Sequence, residues 1–144
     1  MIAVEIATDI SAELEAAIVP LLRQISPFVV VPTYRQLQAI IQSPNTALLL
    51  ARLEETGQLV GSLTLVVLRI PTGIHAWVGD FVVDRDYRGK GVGRKLCEVA
   101  IEEARSRSAQ SITITSHRDM MNQLYEWLGF HRRQTEMYTK ELND

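Results

Sequence analysis

Val82-Val83-Asp84-Arg85-Asp86-Tyr87-Arg88-Gly89-Lys90-Gly91-Val92-Gly93-Arg94 joins a β-branched run to the start of an amphipathic pattern. Upstream, Ile74 to Val83 reads as a strand. Downstream, from Gly91 to Arg107, Val92, Leu96, Val99, Ala100 and Ala104 fall on one helical stripe, while Lys95, Glu98, Glu102, Glu103 and Arg105 can face water. A strand that enters a helix through glycines is an anion cradle. Glycine lets the backbone bend and approach a ligand, the first-turn amides have no partner in the helix, and the dipole adds roughly half a positive charge. Arg88, Lys90 and Arg94 raise the local charge further. The natural guest is a phosphate or pyrophosphate.

Two familiar phosphate loops fail on counting. A Walker A loop needs Gly-Lys and then Ser or Thr after its spacer, but counted from Gly89 the second glycine position holds Arg94. The dinucleotide fingerprint needs a third glycine, and that place holds Arg94 or Leu96 depending on where the count starts.

Outward from the turn, Ala47 to Leu53 and Leu59 to Ile70 flank Glu54-Glu55-Thr56-Gly57-Gln58, the pattern of an antiparallel hairpin. Nearer the N-terminus, Asp9 to Ser26 sets Ile10, Leu14, Ala17, Ile18, Leu21, Leu22 and Ile25 at helical steps, with Asp9 or Ser11 able to cap. Thr33 to Gln42 predicts a shorter helix between Pro32 and Pro44, with Leu37, Ile40 and Ile41 on its apolar side. After the long helix, Ser111 to Thr115 alternates like a short strand, and Met120 to Leu128 returns to helical spacing before Gly129. Phe130 to Leu142 reads as one or two final strands. The order predicts an α/β (α+β) fold, a mixed sheet with helices on its faces.

The 144 residues fit one domain, 1–144, and contain no linker, repeat or low-complexity tract. Apolar residues at 47% and charged residues at 22% leave no compositional case for disorder. With 15 Lys plus Arg against 17 Asp plus Glu, the chain has no broad positive field for nucleic acid. Cys97 is the only cysteine, which excludes an intramolecular disulfide framework and a multi-thiolate zinc site and fits a reducing cytoplasm. Met1-Ile2-Ala3-Val4-Glu5-Ile6 lacks the basic start of a signal peptide, and no apolar run approaches the roughly 20 residues of a membrane helix. A cytoplasmic protein that neither crosses membranes nor binds nucleic acid is expected.

What does fit the turn is Arg88-x-x-Gly91-x-Gly93, which resembles the Arg/Gln-x-x-Gly-x-Gly/Ala signature of the GNAT superfamily of N-acetyltransferases. A second match follows in family order, where Leu124-Tyr125-Glu126-Trp127-Leu128-Gly129-Phe130 resembles the family's Leu-Tyr-x-x-x-Gly-Phe ending of the next helix. The resemblance covers Ile74 to about Leu142 and implies a mixed, mostly antiparallel sheet flanked by helices. It further implies acetyl-coenzyme A (acetyl-CoA) as cosubstrate, with its pyrophosphate on the amides of Gly89, Lys90, Gly91, Val92, Gly93 and Arg94, beside Arg88. Phe81, Val82 and Val83 would contact the pantetheine arm, mainly through backbone that pairs as a strand edge does.

Acetyl transfer needs a neutral amine, yet a lysine-like amine has a pKa of about 10.4 and is mostly protonated at pH 7. A base or water relay must take that proton, a backbone N–H near Val83 can hold the developing oxyanion, and the departing thiolate gains from a proton donor. The resemblance makes Tyr125 that donor, while helical spacing suits a core aromatic equally well. Asp80 is the local candidate for the base, because carboxylates are depleted in strand interiors; a structural hydrogen bond is its alternative role. Direct transfer leaves Cys97 as a core residue.

The chain also departs from its relatives. Some glucosamine-phosphate acetyltransferases have Glu-Asp before three apolar residues, where this chain has Gly79-Asp80-Phe81-Val82-Val83. Relatives often place Asn and Ala where Arg118 and Met121 stand, and Asn122 is out of step with that contact. His75, His117 and His131 form no metal motif, and no Gly-x-Ser-x-Gly elbow exists for a serine nucleophile. Two functions are consistent with these residues, an N-acetyltransferase acting on a primary amine of a small molecule or peptide, and a noncatalytic acyl-coenzyme A binding module. The acceptor is left open, since Arg23, Tyr34, Arg35, Trp77 and Arg118 match no motif. The resemblance also allows a homodimer.

Overall fold

The computed structural model describes residues 1–115 and 122–142. Its elements run β1 (Ile2–Ile6), α1 (Ala12–Leu22), α2 (Tyr34–Gln42), β2 (Thr46–Leu53), β3 (Leu59–Ile70), β4 (Gly73–Val83), α3 (Val92–Ser106), β5 (Ser111–Ile114) and α4 (Asn122–Trp127). The sheet has five strands in chain order; β1 to β4 are antiparallel neighbours, and β5 lies parallel to β4. This is the mixed, mostly antiparallel sheet flanked by helices that the resemblance implied.

β2 explains why its sequence reads as an unbroken apolar run. Leu48 and Leu50 pack with Leu14, Ile18, Leu21 and Leu22 of α1 and Leu37 of α2, while Ala47, Leu49 and Ala51 join Val92, Leu96, Cys97, Ala100 and Ala104 of α3. Both faces are covered, so alternation between apolar and polar residues is lost. The caps match the expected helix starts: the Ser11 hydroxyl accepts from Leu14 N–H at 3.0 Å, and Thr33 forms a capping box with Gln36.

Three expectations are corrected. The first helix ends at Leu22 rather than Ser26, because the amides of Gln24 and Ile25 close tighter turns on Leu21 and Leu22. Ile2–Ile6, for which the sequence pattern predicts no element, is an edge strand paired antiparallel with β2. The final strands between Phe130 and Leu142 do not form; no described residue there lies in a strand, and 131–142 are exposed throughout. His131-Arg132-Arg133-Gln134 offers no apolar face, and among the described residues none of the sheet's five strands pairs with the tail.

Candidate active site

β4 is paired along both edges only in its first half. Its register with β5 runs from His75↔Ser111 to Val78↔Ile114, whereas its register with β3 continues to Gly61↔Val83. Among the described residues, Gly79–Val83 therefore has a free edge on the β5 side. Backbone donors and acceptors on such an edge are open to an amide-bearing ligand that pairs as a strand would.

A bulge lies at the start of that free stretch. Ser62 pairs with Val82 but Thr64 pairs with Gly79, so Leu63 faces both Asp80 and Phe81, and Asp80 takes φ +46°. Ala76 and Val78 before the bulge belong to the α3-side core; after it Val82 is buried on the α1 side, and Phe81 and Val83 pack toward α3. The Val82 side chain is therefore turned away from the α3 side, and its carbonyl lies toward Gly61 of β3. Asp80 is exposed, and its carboxylate makes no hydrogen bond or ion pair among the described residues. The structural hydrogen bond offered as its alternative role is absent there.

The glycine turn follows. Asp84 accepts from Asp86 N–H at 3.0 Å, Tyr87 Oη donates to Gln58 Oε1 at 3.2 Å, and Arg88 Nε donates to the Val83 carbonyl at 3.1 Å. Lys90 Nζ sits 5.3 Å from the Tyr87 ring centre. Gly89 and Gly91 have φ of +76° and +87°, and a Cβ on either would meet nothing within 4 Å. Glycine is needed at both for backbone conformation, and the space in front of the turn is open. Gly91 is the N-cap of α3 with no side-chain cap, and the first helical bond is Lys95 N–H to its carbonyl. The amides of Val92, Gly93 and Arg94 are thus left for an external acceptor. The Val92 side chain is buried, so its amide is all it can offer.

Helix α3 reaches this position because Gly61 of β3 has no side chain. A Cβ there would lie 2.9 Å from Val92 Cγ1, 3.0 Å from Leu96 Cδ1 and 3.3 Å from the Val82 carbonyl. Gln24 Oε1 accepts from Arg85 N–H at 2.9 Å, tying the turn to the end of α1. Sequence reasoning missed both residues; a glycine inside an apolar strand signals close approach, whereas Gln24 gives no signal.

Tyr125 of α4 is 8% exposed and sits in the α3-side core, edge-on to Phe130 at 5.9 Å between ring centres. Its hydroxyl makes no hydrogen bond among the described residues, none of whose fully buried side-chain polar atoms lacks a partner, so the hydroxyl keeps contact with solvent. Burial, with a smaller contribution from Cys97, pushes its pKa up to about 12, so at neutral pH it holds its proton. Burial likewise pushes the Cys97 thiol to about 12, which suits a core residue. No hydrogen bond joins Asp80 to Tyr125.

His75 bridges β4 and β5 away from the turn, with Nδ1 2.8 Å from Ser111 Oγ and Nε2 3.2 Å from Thr72 Oγ1. His131 is exposed in the tail, while His117, Arg118 and Met121 lie outside the described residues. Tyr34 lines a cavity of about 160 Å³ with Thr8, Asp9 and Gln38, which no residue of β4 or the glycine turn borders. Among the described residues no group of acidic, His or Cys side chains could hold a metal ion, and no helix is long and apolar enough to cross a membrane.

The model of the acetyltransferase (GNAT) family matches residues 16–130. The chain belongs to the GNAT family. That family is one of acyltransferases, and it generally uses acetyl-CoA. Glucosamine 6-phosphate N-acetyltransferase of Trypanosoma brucei brucei is 33% identical over 87 residues, and the match covers 58% of each chain. Among solved structures, glucosamine-6-phosphate N-acetyltransferase from Arabidopsis thaliana superposes with a TM-score of 0.84 at 18% identity, covering 99% of both chains. An aminoglycoside acetyltransferase from an uncultured soil metagenomic sample gives 0.85 at 18% identity, covering 99% of this chain and 97% of its own. These structural likenesses establish the GNAT fold.

Proposed function

We propose that residues 1–144 form one acetyltransferase domain that moves an acetyl group from acetyl-CoA to a primary amine of a small molecule or peptide. The observation that carries this reading is that Gly79–Val83, unpaired on its β5 side among the described residues, leads through Asp84–Arg88 into the turn at Gly89–Gly93, where α3 has no side-chain cap. The two features match the two halves of the donor, an amide-bearing arm and a pyrophosphate. The amides of Gly89, Lys90, Gly91, Val92, Gly93 and Arg94 would hold the pyrophosphate, Phe81, Val82 and Val83 would pair with the arm, and Arg88 fixes the turn on Val83. When bound, acetyl-CoA supplies an acetyl group activated as a thioester.

The chain's own groups then manage protons. Asp80, unpaired and exposed among the described residues, takes a proton from the incoming ammonium directly or through water. Tyr125 holds a proton at Oη for the sulfur that leaves, and its pKa of about 12 keeps that proton in place across neutral pH. The free β4 backbone near Val83 offers an N–H to the acyl oxygen.

The trypanosomal relative supports an amino-sugar phosphate acceptor, whereas Gly79 in place of Glu argues against copying that substrate. The test is coenzyme A release over a panel of amino sugars, aminoglycosides and peptides. Turnover with one class supports the reading; binding of acetyl-CoA with no turnover on any amine would favour the noncatalytic module. The setting we assign is the cytoplasm, with which the lone Cys97 is consistent, and the assembly a homodimer, supported by the solvent-exposed tail in which Met137, Tyr138 and Leu142 are 63%, 89% and 83% exposed.

A further inference from the structure

The Arg94 guanidinium lies 3.7 Å from the centre of the Trp127 ring, and its Nε is held by Glu98 at 2.8 Å. Trp127 is nevertheless 61% exposed. A guanidinium at stacking distance covers one face of an indole, so the exposure belongs to the opposite face and the rim. A flat aromatic surface is therefore fixed beside the first turn of α3, one side chain away from the amides of Gly93 and Arg94. Nothing in the core needs it, since Tyr125 and Phe130 supply the buried aromatic packing of this segment. The ion pair with Glu98 offsets the Arg94 charge, which leaves stacking rather than charge as what this surface offers.

We propose that the open face of Trp127 seats the adenine of coenzyme A, with Arg94 as its backing and Glu98 holding Arg94 in place. This rests on the reading of Gly89–Gly93 as the pyrophosphate site. The base is the only flat aromatic part of that ligand, and a ribose links it to the pyrophosphate. A purine on an aromatic face also needs no sequence of hydrogen bonds, which suits a surface that presents none.

The probes are acetyl-CoA and S-acetyl-4′-phosphopantetheine, which keeps the arm and one phosphate but lacks the adenosine. Trp127→Ala should weaken acetyl-CoA binding by about tenfold and leave the shorter ligand unchanged, and Trp127→Phe should recover most of the loss. On a Trp77→Phe background, adenosine 3′,5′-bisphosphate should quench the remaining tryptophan fluorescence, and circular dichroism confirms that each variant folds. An unchanged acetyl-CoA affinity in Trp127→Ala, or an equal loss for both ligands, overturns the adenine seat. Wild-type protein that binds both ligands equally well upholds the pyrophosphate site and overturns the seat. Wild-type protein that binds neither overturns both.

Discussion

Tyr125 combines a buried ring with a hydroxyl that has no protein partner among the described residues, and burial holds its proton to about pH 12. Replacing it by Phe keeps the packing and removes the proton, so kcat should fall about a hundredfold while acetyl-CoA affinity holds. An unchanged kcat would remove its role as donor. Asp80 needs two substitutions, because its φ of +46° makes it part of the bulge as well as a carboxylate. Asp80→Asn and Asp80→Gly should both fold and both lose activity; an active Asn variant would assign Asp80 to the bulge alone. Cys97 and Tyr125 titrate near 12 rather than at their ordinary 9.0 and 10.0, so the unfolded chain loses these protons first. Their contribution is intact below about pH 9 and is lost as pH rises toward 12, at most about 1.4 kcal/mol per pH unit for each group. Urea unfolding at pH 8 and 10.5 should show a smaller alkaline loss in Cys97→Ala than in wild type; equal losses would contradict this. Sequence spacing could not choose between the two roles of Tyr125, because a helical stripe records burial and not where a hydroxyl ends.

The glycine turn and the long helix were legible because each is local: glycine marks positive φ, and the apolar stripe of α3 repeats for several turns. The bulge at Asp80 was not, since it exists only in the pairing of Leu63 with two residues of another strand. β1 was readable in principle, as Ile2, Val4 and Ile6 alternate with Ala3 and Glu5, but so short a run signals weakly without its β2 partner. Gly61 couples these elements. Gly61→Ala should destabilise the fold by about 1 to 3 kcal/mol in urea unfolding and weaken acetyl-CoA binding, because the methyl pushes Val92 and Leu96 away from β3. Full affinity in a stable Ala variant would show that the position of α3 does not depend on Gly61.

For the whole molecule, the tail is where a sequence pattern and the folded chain part. Phe130 to Leu142 reads in sequence as one or two strands, yet a strand needs a neighbour, and β5 ends the sheet among the described residues. If a second copy supplies that neighbour, light scattering at micromolar concentration should give a dimer and a chain ending at Phe130 a monomer; a monomeric full-length chain would contradict the assembly. The central claim is that Gly79–Val83 and Gly89–Gly93 together hold acetyl-CoA. Thermal unfolding with and without the ligand, in wild type and in Gly91→Glu, tests it most directly. At about 100 times Kd the ligand should stabilise wild type by about 2.7 kcal/mol, a rise in Tm of roughly 5 to 11 °C, and should leave the Tm of a folded Gly91→Glu unmoved. No rise in wild type at millimolar acetyl-CoA, or an equal rise in the variant, would contradict it.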